Sequence, residues 1–484
     1  MTDFTTYQPP GVYVDEEDTP LVSVIGTTPS VVAIVGPSVG YRTFTESIAL
    51  TSEDEIALTQ QGVDVNTITV SAIDGTPFNV TTDYEVTIDG GEDENSGTTE
   101  DNIVSVNRVS SGDITDGQTV RVTYRYTDTT YFSPLRLSDF DDVKQAFGEP
   151  INTATGEITS PLSLAAKLAF DNGAREVLLV ATDGSASVAQ RLELEDGLAK
   201  LEPVYDLSIV VPLPVGIAGT DLSPGDTISV GTDLASHCES LSEDGYFRIG
   251  IIGYETTATI SPETVASSIS SHRVMLAHPN KMLWYNGWLN QSQEVAGYYL
   301  AAAYAGRLVS GQVQDALTKK SIRGFAGIAH DTFATMTASN KNAWSDAGVA
   351  VTELTRTNSL ICRHGVSTDR TSEMTREVSL TRAKDLMIRR LQDTVDASGV
   401  IGTAIDETTT IRVKGIVQGV LEQLTAGGTI FAYSDLKARQ KPGSPTVIEV
   451  KFMYRPSYPL NYVLISFSID TTTGAATVGT PANQ

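Results

Sequence analysis

Five stretches of this chain are apolar at successive positions rather than alternate ones. They are SVVAIVG (30–36), REVLLVAT (175–182), YDLSIVVPL (205–213), YFRIGIIGY (246–254) and HRVMLAHP (272–279). A strand with one wet face alternates, because its side chains point to opposite sides in turn. A run that does not alternate must be covered on both faces, as in a parallel sheet flanked by helices. Helical stretches separate several of the runs, which predicts an α/β core. The best marked helix is SPLSLAAKLAFDNG (160–173). Ser160 suits its N-cap, Pro161 its first helical position, and Gly173 the point just past its end. Leu162, Ala165, Ala166, Ala169 and Phe170 share one face of it.

Residues 41–130 have a different texture. They are rich in Thr, Asp, Gly, Val and Ile and poor in helix formers. NTITVSA, FNVTTDYEVTID, NIVSVNRV and QTVRVTYRYTD alternate apolar and polar residues, with IDG, DGGEDENSG, SSGD and TDGQ as punctuation. That pattern predicts a meander of short antiparallel strands in a small β-domain of its own. Further on, NQSQEVAGYYLAAAYAGRLVSG (290–311) reads as one long helix opened by Asn290, with Gln293 three residues later. Residues 375–396 read as a strand or helix start passing into a basic helix, and 410–430 as a helix ending at Gly427-Gly428. Residues 445–470 read as two long alternating strands. The small, uncharged tail 471–484 is flexible or borrowed by a neighbour.

A chain of 484 residues exceeds what one hydrophobic core supports, so several domains are expected. The formal charge of -27 argues against general nucleic-acid binding. It is unevenly spread: residues 1–130 carry 22 acids against 4 arginines, whereas residues 351–484 carry 13 acids against 15 bases. The first region is self-repelling and well solvated; the last is free to face an acidic partner. No apolar run approaches the roughly 20 residues needed to span a bilayer. The polar, acidic start of the chain does not read as a signal peptide. Cys238 and Cys362 stand far apart, which suits folding in a reducing cytoplasm.

The residues offer no catalytic constellation. His237, His272, His278, His330 and His364 show no HxxxH or HxH spacing, so no metal site is expected. GPSVGY (36–41) lacks the Gly-Lys-Ser/Thr ending of a phosphate loop, and there is no GxSxG elbow. The acids around Gly90-Gly91 miss the helix-loop-helix calcium spacing and read as a solvated hairpin tip. No cofactor is expected.

One further stretch, PPGVYVDEEDTP (9–20), reads as a strand with no partner close in sequence. Val12 and Val14 point to one face and Tyr13 to the other. Such an arm either folds back on its own domain or adds to the open edge of a neighbour's sheet.

Several stretches together resemble the contractile tail sheath proteins of bacteriophages and related injection machines. They are the PGVYV arm with its acids, VVAIVGPSVG, SPLRLSDFDDVKQAFGEP followed by SPLSLAAKLAFDNGAREVLLVAT, and IRVKGIVQGVLEQLTAGGTIFAYSDL with VIEVKFMYRPSYPLNYVLISFSI. The resemblance covers residues 8–40 and about 131–470, and residues 41–130 depart from it as an insertion. It implies a multi-domain α/β chain. An extended arm would occupy 1–25, and an α/β sheath core 26–40 and 131–350. An inserted all-β domain at 41–130 would lie on the outer surface. An α+β C-terminal domain at 351–470 would face an inner tube, and a C-terminal arm would occupy 471–484. It also implies terminal strands exchanged between subunits, which places Val12, Tyr13 and Val14 in another subunit's sheet.

The implied function is structural, not enzymatic. Hexameric rings would stack helically around an inner tube and contract to drive it through a target envelope, powered by assembly energy. The implied partners are other copies of the chain, the tube protein, and baseplate and tail terminator proteins. No direct nucleic-acid contact or membrane insertion is implied. The implied location is a virion tail assembled in the host cytoplasm. Arg382, Lys384, Arg389 and Arg390, with Lys437, Arg439 and Lys441, are candidates for contacting an acidic tube. The same residues also suit solvated helix faces or salt bridges between subunits. Two other readings are a virion or surface adhesin that binds receptors through the β-insertion, and an α/β hydrolase.

Overall fold

The computed structural model describes residues 30–38, 40–51, 55–89, 103–128, 133–152, 155–182, 187–214, 225–254, 260–287, 289–469 and 476–477. The five apolar runs form the middle of one eight-stranded sheet. Its order is Leu360–Cys362, Val349–Leu354, Val274–His278, Ile249–Gly253, Leu207–Pro212, Val31–Pro37, Val177–Thr182 and Leu135–Leu137. The six inner strands are parallel and both edge strands are antiparallel. Every residue of Val177–Thr182, Ile249–Gly253 and Val274–His278 is buried, as runs without alternation require. The division expected at residue 350 falls inside Val349–Leu354, so the core sheet continues past it.

The helix Pro161–Asp171 begins as its sequence predicts. Ser160 accepts a hydrogen bond from the Ser163 amide, and Gly173 takes a φ of 102°, which suits glycine. Its neighbour, Gly297–Val309, is buried along almost its whole length. A Cβ on Gly306 would lie 2.2 Å from the Ala169 carbonyl oxygen, so the two helices meet backbone to backbone. The helix predicted to open at Asn290 starts later. Gln291–Ala296 is instead a strand, paired antiparallel with Lys281–Asn286, whose other edge takes Phe325–Ile328. Asn290 sits in the turn at φ 51°. Tertiary pairing outweighs the helical pattern across these residues, a common override of local propensity.

Residues 40–128 carry their own apolar core, which includes Leu50, Val70, Tyr84, Val106, Val122 and Tyr124. The strands do not run as the predicted meander. Gly40–Leu50 pairs along its whole length with Gln118–Asp128, which also takes Val63–Ala72. Tyr84–Asp89, Ile103–Arg108 and Ile56–Ala57 make a second sheet. The chain therefore enters and leaves this unit on adjacent strands.

His278 closes the strand Val274–His278 between the rings of Tyr254 and Trp344, with centroids 5.2 and 4.5 Å away. Neither ring nitrogen has a hydrogen-bond partner. Burial therefore pushes its pKa down to about 3. The folded imidazole stays neutral as the pH falls through 6.5, whereas the unfolded chain takes up a proton there. Stability contributed by the neutral ring is thus present above about pH 6.5 and is lost on acidification toward the folded value. The expected cost from this residue is about 1 kcal/mol per pH unit. Urea unfolding between pH 6.5 and 5 measures it. His278→Leu should flatten the slope by that amount, and an unchanged slope would place the proton uptake elsewhere.

Candidate intersubunit surface

The helix Val378–Ala397 joins two separate cores. Val378 belongs to the core of the large sheet, while Met387, Leu391 and Val395 belong to a second core. Between them Asp385 receives two hydrogen bonds from Arg273, at 2.7 and 2.9 Å, with both side chains buried. The bidentate fork fixes the helix to the sheet at the end of the turn that leads into Val274–His278. One turn on, the Arg389 guanidinium donates to the Tyr205 and Phe247 carbonyls at 3.1 and 3.4 Å. It also lies 4.7 Å from the Tyr205 ring centroid.

The second core is built by the helix Glu407–Ala426 against a hairpin, Ile430–Gln440 with Ile448–Pro456. Asp406 caps the helix by accepting from the Thr409 amide, and Gly427 and Gly428 end it where the sequence predicts. Among the described residues the two strands pair only with each other, so both outer edges are open. Their solvent face carries Phe431 and Met453, with the Arg455 guanidinium 4.0 Å above the Phe431 ring.

Residues 457–467 follow the hairpin without regular structure. Two alternating strands are expected over 445–470 from sequence; one forms, Ile448–Pro456, and its partner is Ile430–Gln440, which follows the predicted helix end and carries no strand expectation. Residues 457–467 of the second stretch pair with no strand among the described residues, and only its end, Ser468–Ile469, is a short strand, paired antiparallel with Ala476–Thr477. Its apolar side chains face solvent: Leu460, Tyr462, Val463, Ile465 and Phe467 are all well exposed, and Leu464 is 92% exposed. Three hydrogen bonds hold its start to the subunit. Ser457 Oγ donates to the Gly428 carbonyl at 2.8 Å, the Tyr458 hydroxyl to Met374 Sδ at 3.1 Å, and Asn461 Nδ2 to Glu377 Oε1 at 2.8 Å. A contiguous exposed apolar segment of this kind has the character of an interaction surface.

The structure separates the basic residues singled out from the sequence. Arg382 and Arg389 are 4% and 6% exposed, which takes them off the subunit's surface. Their charges are held by backbone carbonyls from distant parts of the chain. Lys384 and Arg390 lie half-buried on the same helix. Lys437 and Arg439 are exposed on the hairpin, and Lys441 is half-buried at its end. Arg439 donates to Glu449 across the hairpin at 2.8 Å. Val12, Tyr13 and Val14 lie outside the described residues. Among the described residues there is no His, Cys, Asp and Glu cluster able to hold a metal ion, and no helix long and apolar enough to cross a membrane. Both cysteines are free and buried.

No family profile matches the chain. It is 34% identical over 427 residues to the tail sheath protein of Mycobacterium phage Bxz1, covering 87% of this chain and 71% of that protein. Its fold is similar to that of the anti-feeding prophage helical sheath in the contracted state. The TM-score there is 0.56 at 12% identity, over 96% of this chain and all of that one. It is also similar to the PVC sheath complex of an extracellular contractile injection system in the contracted state, with a TM-score of 0.52 at 13% identity, over 97% of this chain and 99% of that one. A relative this similar over this much of both chains decides the family: the chain belongs to the tail sheath proteins, structural components of virion tails rather than enzymes.

Proposed function

We propose that the chain polymerises as hexameric rings stacked helically around an inner tube, and that the polymer contracts to drive the tube through a cell envelope. The work comes from energy stored on assembly. The observation that carries this reading is the apolar segment Leu460–Phe467, exposed beside a hairpin whose two outer edges are open among the described residues. An extended segment seeking a sheet and a sheet seeking strands are complementary between copies of one chain. Val12, Tyr13 and Val14 supply a second such strand. Copies linked in this way stay connected while rigid cores rotate past one another. Lys384, Arg390, Lys437, Arg439 and Lys441 are retained as candidates for the tube-facing side. Individually weak, screenable contacts there would hold the extended state and release together. The β-unit at 40–128 faces outward, and the ends of the polymer meet baseplate and terminator proteins.

Negative-stain microscopy of the expressed full chain tests the reading, with striated hollow tubes as the expected result. A chain that stays monomeric at high concentration would overturn it. Deleting residues 1–19 should leave far-UV circular dichroism and urea midpoint nearly unchanged while tubes are lost. Normal tubes from that variant would remove Val12, Tyr13 and Val14 from the exchange.

A further inference from the structure

A cavity of about 30 Å³ lies where the helix Val378–Ala397 crosses the large sheet. Arg248, Arg382, Arg389 and Asp385 line it, with Phe247 and Leu386 among its apolar walls. Within the lining, guanidiniums outnumber acids. Asp385 is the one acid in the lining, and both its oxygens already accept from Arg273, which itself is buried. Three further guanidiniums surround the space. Arg248 spends its donors on the carbonyls of Tyr246, Leu201 and Val204. Arg389 donates to Tyr205 and Phe247. Arg382 differs: its Nη1 donates to the Leu308 carbonyl at 3.1 Å, but its buried Nε and Nη2 have no partner. Asp385 and Asp315 act on it only through space. A buried guanidinium with orphaned donors is costly unless something accepts from it.

We propose that this cavity is an anion site, occupied by a single monatomic anion of the chloride class that accepts from Arg382 Nε and Nη2. A space of this size holds one small ion or one or two waters. The small volume favours a monatomic ion over a tetrahedral oxyanion. Water would satisfy the donors but bring no charge to a lining in which three guanidiniums stand against one acid, whereas an anion answers both needs. Burial already pulls the Arg248 and Arg382 pKa values down to about 10, yet both stay charged at neutral pH. The ion would hold together the junction between the large sheet and the helix that carries the second core.

Urea unfolding of the full chain tests this at constant ionic strength, with sodium chloride exchanged for sodium gluconate. One ion bound only to the folded state lowers the unfolding constant about tenfold for each tenfold rise in chloride above its dissociation constant. Bromide should replace chloride. Arg382→Met should abolish the dependence. Equal stability in chloride and gluconate, or an unchanged dependence in Arg382→Met, would mean water only or a general salt effect and would overturn the site. If Arg382→Met does not fold, ³⁵Cl line broadening on the unaltered chain decides: broadening reversed by bromide supports the site, and none refutes it.

Discussion

A chain that lacks residues 458–484 should fold normally and fail to polymerise. Within the subunit the removed part supplies little: its described contacts include the Tyr458 and Asn461 hydrogen bonds, each worth about 1 kcal/mol. Between subunits it supplies a great deal. Burying a side chain the size of Leu464 or Phe467 contributes about 1.5–3 kcal/mol, and Leu460, Tyr462, Val463 and Ile465 add to it. The sharper variant is Leu464→Asp. At 92% exposure the residue can hardly affect the subunit, so its urea midpoint should stay within about 0.5 kcal/mol of the unaltered chain. A charge at that position in a covered strand should still cut tube formation, as read by light scattering and microscopy. Tubes of normal length and yield from both variants would show that this segment is not what neighbouring copies bind.

Asp385→Ala should destabilise the subunit by about 3–5 kcal/mol, the cost of breaking a buried ion pair from one side. The carboxylate holds Arg273 through two hydrogen bonds and is the one acid in a lining with three other guanidiniums. Removing it leaves Arg273 charged and unpaired in the interior. The double variant Arg273→Met with Asp385→Leu should recover most of the loss, because it removes both charges and keeps the volume filled. Denaturant unfolding followed by circular dichroism measures both. A single variant within about 1 kcal/mol of the unaltered chain would mean that the pair does not tie the helix to the sheet.

Much of this architecture was legible residue by residue. Runs such as VLLVAT state their double burial in their composition, because any alternation would have signalled a wet face. The helix caps at Ser160 and at Gly427-Gly428 were legible for a similar reason: capping is chemistry within a few residues of chain. Gln291–Ala296 was not. Its preference for a strand comes from Lys281–Asn286 as a partner, which the local pattern does not contain. The same holds for Ile430–Gln440 and for residues 457–467, whose alternation was visible but not the lack of a strand partner among the described residues.

By itself, the sequence determined where the chain is buried on two faces, where its helices are capped, that no catalytic constellation stands out along it, and which family it resembles. The tertiary structure decided which charges are inside. Arg382 and Arg389 look like surface cations on a basic helix, and in sequence they differ little from Lys384 and Arg390. The carbonyls that receive them belong to Leu308, Tyr205 and Phe247, 74 to 184 residues away. A guanidinium is buried when distant backbone is folded around its donors, and no local pattern records that.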